Sequence, residues 1–85
     1  MRIKLHRDFE KGYRKLRFGE KKKFKERRDL FLRDQFNPVL NNHPLKGKHQ
    51  GYRSINVTGD IRAIYRSEGK DVIFVLIDIH TDLYG

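Results

Sequence analysis

The sequence predicts an α+β domain, with two N-terminal helices packed on a small antiparallel sheet in the order β-α-α-β-β-β. Three observations predict it. Phe9, Tyr13 and Leu16 recur at i, i+4 and i+7, and Phe24 and Phe31 stand seven apart, so both sets trace helix faces. After Pro38 the texture changes to short β-branched runs separated by turn formers. Residues 72–79, VIFVLIDI, are almost continuously aliphatic, as in a strand buried on both faces.

The elements follow in order. RIKLH at 2–6 alternates Ile3 and Leu5 with polar neighbours and forms a short strand. Asp8 is placed to cap the first helix, and Gly19 interrupts the aromatic stripe where that helix ends. EKKKFKERRDLFLRDQF carries the second helix, which Asn37-Pro38 stops. Residues 8–35 are thus an α-hairpin. GYRSINV at 51–57 and IRAIYR at 61–66 are hairpin strands joined by TGD at 58–60, where Gly59 is free to take positive φ. SEGKD at 67–71 turns the chain into the final strand. Residues 1–85 form a single domain, without repeat, linker or low-complexity segment.

At 85 residues such a domain buries roughly 60–65% of its unfolded surface, enough for one thin core. With no cysteine, neither disulfides nor thiolate metal sites are available, which fits a reducing cytoplasm. The N-terminal stretch lacks an apolar signal core, and no run approaches the ~20 apolar residues of a membrane span. Twenty Lys and Arg against eleven Asp and Glu give a net charge of +9, which implies a polyanionic partner such as nucleic acid, or an acidic protein. Residues 11–28 concentrate that charge, with ten basic side chains and two Glu. Each phosphate that such a patch neutralises steepens the salt dependence of binding.

The four histidines, His6, His43, His49 and His80, fit no zinc spacing, and the chain has neither a Gly-rich phosphate loop nor a nucleophile elbow. What remains is a constellation assembled by the sheet. His43 precedes the hairpin, Asp60 sits in its turn, Arg62 starts the next strand, and His80 and Tyr84 follow the last one. That set suits RNA cleavage by the substrate's own 2′-hydroxyl. The reaction needs a base at the 2′-OH, an acid at the departing 5′-oxygen and a cation at the phosphate. Imidazole can do either proton job near neutral pH, Arg matches phosphate, and an aromatic ring can stack on a base. No metal or other cofactor is required.

HPLKGKHQGYRSINVTGDIRAIYR, followed by a hydrophobic strand and IHTDLYG, resembles the RelE/ParE toxin superfamily and within it the YafQ-type toxins of bacterial type II toxin–antitoxin systems. The elements HPL-x-G, GYR, D-x-x-x-IY and H-x-x-L-[FY]-G recur in that order across residues 43–85; the N-terminal hairpin matches in length and layout. The resemblance implies a ribosome-dependent endonuclease that cuts mRNA in the A site. It also implies a small sheet with two N-terminal helices and a cognate antitoxin that masks the basic surface. Carried over by position, His43, Asp60 and His80 correspond to acid–base residues, Tyr84 to an aromatic beside the active site, and Arg62 to a phosphate-stabilising arginine. His80 and Asp60 are the pair to which proton transfer is assigned, with His43 orienting or sharing a proton; which is base and which acid stays open. Lys46, Lys48 and Arg53 are candidate phosphate contacts, and His49 has no counterpart.

One position departs from the pattern. Where YafQ-type sequences carry a histidine before the hairpin turn, this chain has Asn56. An amide can bond a phosphate or base but exchanges no proton near pH 7. Two other readings share the layout: a non-enzymatic gyrase inhibitor of the ParE type, and a decayed toxin that only binds RNA or ribosomes. The histidine-bearing tail favours the nuclease, because protein binding needs no proton-transfer groups.

Overall fold

The aromatic spacing becomes the core. A computed structural model describes residues 1–79, the Ile79 side chain excepted. Strand β1 (Ile3–Leu5) leads into helices α1 (Arg7–Arg14) and α2 (Phe18–Arg33). A 3-10 turn, Pro38–Leu40, precedes β2 (His43–Pro44), and a second, Gly47–His49, precedes β3 (Arg53–Asn56), β4 (Ile61–Glu68) and β5 (Asp71–Ile79). The sheet order is β1-β5-β4-β3-β2. The expected antiparallel meander β3-β4-β5 is present, and two strands extend it. β1 pairs parallel with β5, Ile3 to Val72 and Leu5 to Phe74, so the sheet is mixed. Two-residue β2 pairs antiparallel with β3.

Both helices lie on one sheet face. Phe9 and Phe24 sit 5.1 Å apart centroid to centroid, and each is 5.8 Å from Phe74. Phe31 reaches Phe74 at 5.5 Å and Tyr65 at 5.0 Å. Tilted and edge-on rings of this kind each add about 0.5–1.5 kcal/mol beyond the area they bury. A β-bulge makes the cluster possible. Ile64 pairs with Leu76 but Tyr65 pairs with Phe74, so Val75 is the extra residue and the strand changes phase there. The shift turns Phe74 toward the helices on the same side as Ile77. On the opposite face Ile73 and Leu76 are only half-buried, so β5 is central without being covered equally on both sides.

Several local signals resolve differently from the sequence reading. His6, not Asp8, caps α1: its Nδ1 accepts the Asp8 N–H at 3.0 Å. The α1–α2 break falls at residues 15–17, ahead of Gly19, which lies in the first turn of α2. There the Arg17 N–H donates to Glu20 Oε1 at 2.8 Å. Gly59 does not adopt positive φ; Thr58 Oγ1 instead accepts from the N–H groups of Asp60 and Ile61. Positive φ is used at Gly69, in the two-residue loop between β4 and β5. Among the described residues no helix is long and apolar enough to cross a membrane.

Gly12 lets α1 approach β5: a Cβ there would stand 2.6 Å from the Ile77 carbonyl oxygen. Gly12→Ala is therefore expected to destabilise the fold by about 1–3 kcal/mol despite alanine's higher helix propensity. Gly19, with open space around it, should respond oppositely, gaining up to about 1 kcal/mol as alanine. Thermal unfolding of the two variants checks the sign. At the sheet edge the Arg2 N–H and then its guanidinium hold the Asp71 carboxyl below its usual range. A depressed carboxylate stabilises the fold at neutral pH, and that contribution is lost as pH falls through its folded value. Arg2→Ala, which removes the guanidinium but keeps the backbone N–H, should move Asp71 titration, followed by NMR, only part of the way up toward ordinary aspartate.

Candidate active site

The helix-free face of the sheet carries the candidate residues, and strand register arranges them in rows. Directly opposed residues on neighbouring strands share a face. One row runs His43, Ser54, Ile64, Leu76 across β2 to β5. The next, roughly 7 Å along the strands, runs Asn56, Arg62, Asp78. Beyond it lies the β3–β4 turn with Asp60. Three of the sequence candidates, His43, Asn56 and Arg62, thus share one face, and Asp60 stands in the turn beyond their end, where it opens toward the α1–α2 turn. β5 ends at the same end, at Ile79. His80 and Tyr84 lie outside the described residues.

His43 is half-buried, and its Nδ1 stands 2.7 Å from the Asn41 carbonyl oxygen. A carbonyl only accepts, so the neutral ring carries its proton on Nδ1 and its lone pair on Nε2. The floor beside it is unusual. Ser54 Oγ and Asn56 Oδ1 are buried with no hydrogen-bond partner among the described residues. Unsatisfied buried polar groups cost about 1–3 kcal/mol each, and a native structure keeps them only for a reason.

Arg62 Nη1 donates to the carbonyls of Thr58, Gly59 and Ile61 at 2.9, 3.0 and 3.3 Å, which locks the turn. Its Nη2 and Nε have no partner among the described residues. Asp60 is exposed at the turn and lines a cleft of about 530 Å³ between the β3–β4 and α1–α2 turns, together with Lys15, Arg17, Glu20 and Asp78. Among the described residues no hydrogen bond joins Asp60 to His43.

Arg53 is not with them. Its register partner is Tyr65, on the helix side, and there its Nε donates to Asn42 Oδ1 at 2.7 Å while the guanidinium lies 5.4 Å from the Phe36 ring centroid. Arg53 is a structural cation, and the alternation of Arg53, Ile55 and Val57 already put it on the apolar face. Lys46 and Lys48 are exposed in the Gly47–His49 turn region, at the other end of β3, and His49 is half-buried there. From the basic run, Lys15 and Arg17 share the Asp60 cleft, and Asn56 has as neighbours Lys23 and Arg27. They line a groove of about 360 Å³ along the open edge of β3 with Val39, Asn56 and Val57. Because β2 covers only Arg53 and Ser54, the Asn56 end of that edge has no strand beside it. Asn41, Asn42, Ser54 and Tyr65 were not signalled as site residues by any motif. The one clue was the paired asparagine before His43, since Asn tolerates left-handed backbone.

A family model described as "Bacterial toxin of type II toxin-antitoxin system, YafQ" matches residues 1–85. The crystal structure of YafQ from E. coli strain BL21(DE3) is similar over 100% of both chains, at 26% identity and a TM-score of 0.82. YafQ in the E. coli DinJ–YafQ toxin–antitoxin complex is 26% identical over 98% of this chain and 96% of that one, with a TM-score of 0.78. A YoeB/ParE toxin from Agrobacterium tumefaciens, 21% identical over 94% of this chain and 99% of its own, shares the fold at a TM-score of 0.76. No curated protein matches the chain.

Proposed function

Because the chain belongs to the YafQ toxins of bacterial type II toxin–antitoxin systems, we propose that it is a ribosome-dependent endoribonuclease. In this reading it cuts mRNA in the A site and is held in check by a cognate antitoxin, as E. coli YafQ is bound by DinJ. The observation that carries the reading is His43, whose Nδ1 is tied to the Asn41 carbonyl so that Nε2 is the basic nitrogen, with no partner among the described residues, on the helix-free sheet face.

The chemistry is in-line attack of the 2′-oxygen on the adjacent phosphorus. The 2′-OH proton passes to a base, the P–O5′ bond breaks, and the 5′-oxygen takes a proton from an acid, leaving a 2′,3′-cyclic phosphate and a 5′-hydroxyl. The geometry favours Nε2 of His43 as the proton acceptor. His80 then donates to the leaving oxygen, Asp60 at the hairpin turn supports the second proton transfer, and Tyr84 stacks on a base. Nη2 and Nε of Arg62, without a partner among the described residues, face the developing charge. Asn56 Oδ1, which has no partner among the described residues, accepts from a ribose hydroxyl or base amine. It takes over the binding part of the family histidine's work but not proton exchange. Lys23 and Arg27 guide the strand's phosphates along the β3 edge.

Primer extension on mRNA in purified ribosomes tests the reading. Wild type should give discrete A-site cuts. His43→Ala and His80→Ala should each lose about 10²–10⁴ in rate while keeping ribosome affinity. No cuts from a folded, ribosome-bound wild type would sink the nuclease, and inhibition of DNA supercoiling instead would identify a ParE-type inhibitor. Separately, Lys23→Gln with Arg27→Gln should flatten the slope of log affinity against log salt by roughly 1–2. An unchanged slope removes these two residues from the nucleic-acid contact.

A further inference from the structure

His43 is held by a polar network that touches no substrate. Asn41 sits at φ 46, ψ 48, in the left-handed region, and this fold of the chain brings its carbonyl to His43 Nδ1 at 2.7 Å. Asn42, the residue between them, has every polar atom of its amide engaged. Its Nδ2 donates to the Tyr65 hydroxyl at 2.7 Å and to the Gln35 carbonyl at 3.1 Å. Its Oδ1 accepts from Arg53 Nε at 2.7 Å. Tyr65 in turn is fully buried in the middle of the sheet, and Gln35 follows the end of α2. Asn42 therefore pins the chain at three points, on α2, β3 and β4, immediately before the residue whose ring faces the opposite side.

We infer that Asn42 is the positioning residue for His43. Through the Tyr65–Asn42–Arg53 network it holds the Asn41 carbonyl in place and so selects the His43 tautomer that leaves Nε2 unprotonated. The inference rests on the nuclease reading for its catalytic meaning but not for its structural content. Asn is the residue the position requires. Leucine offers no bond, and aspartate loses both donors, so neither keeps Tyr65, Gln35 and Arg53 together. Without the clamp, the Asn41 turn can relax, and the His43 ring can then exchange its proton between nitrogens.

The test is long-range ¹H–¹⁵N correlation of the histidine rings in the full chain, at a pH where imidazole is neutral, alongside ribosomal cleavage by the same variants. Wild-type His43 should show a protonated Nδ1 and a bare Nε2. Asn42→Leu should move both signals toward a tautomer average and lower kcat by about ten- to a hundredfold. KM should stay within about threefold, because Asn42 touches no substrate. Tyr65→Phe, which removes the hydroxyl's bonds to Asn42 and Gln35 but leaves Asn42 bonded to the Gln35 carbonyl and Arg53, should shift the signals in the same direction by less, and serves alone if Asn42→Leu does not fold. A wild-type ring protonated on Nε2, or a folded variant that keeps the wild-type signals, overturns the inference. Correct wild-type signals that move on mutation, with no mRNA cut by wild type, would uphold the clamp and reject the nuclease.

Discussion

Tyr65 is the residue on which core and site both depend. Its ring belongs to the aromatic cluster, 5.0 Å from Phe31 and 5.4 Å from Phe74. Its hydroxyl belongs to the loop before β2, accepting from Asn42 and Gln35. A buried phenol must find partners for its oxygen. Here those partners are the groups that fix the approach to His43. The hydrophobic energy that packs the helices on the sheet thus also sets the frame for the histidine on the other face.

The two faces of the sheet divide the work. The helix side is apolar and closed by Phe9, Phe24 and Phe31. The other side carries His43, Asn56 and Arg62 in adjacent rows, beside buried Ser54 and Ile64 and half-buried Leu76. Charge is divided in the same way. Arg53 is spent within the structure, whereas Lys23 and Arg27 border the open edge of β3. A net charge of +9 therefore understates how selectively cations are placed, because identity alone does not reveal which face a side chain occupies.

The helical pair and the meander were legible because their signals are local: aromatics at helical spacing, and β-branched runs between turns. The phase switch in β5 was hidden because residues 72–77, VIFVLI, are apolar at every position, so no polar residue near Val75 marks the face that changes there. β1's partner was hidden because pairing with residues 72–74 is set by the whole topology. His6 was missed as a cap because Asp8 offered the commoner cap residue two positions on. In the site, His43 and Asp60 were legible as motif residues, Arg62 by its position after the turn and Asn56 as the departure from the pattern. The Asn42 network was not, because its members come from residues 35, 42, 53 and 65 and meet only in the folded chain. Arg53 shows the opposite case, a readable signal overridden by its charge: its alternation with Ile55 and Val57 already fixed its side.

The parallel pairing of β1 with β5 has a consequence in time. The Arg2 contact to Asp71 spans 69 positions, so β1 is completed only once β5 has been made. Long-range parallel pairing requires loop closure before it returns any stabilisation, which makes it a late event in folding. Until residues 71–79 are synthesised, Phe9, Phe24 and Phe31 have no Phe74 to pack against, and the nascent helices cannot close their core. The fold therefore closes in one step, when β5 becomes available, rather than piece by piece. A toxin with this topology has no folded core before β5 is in place.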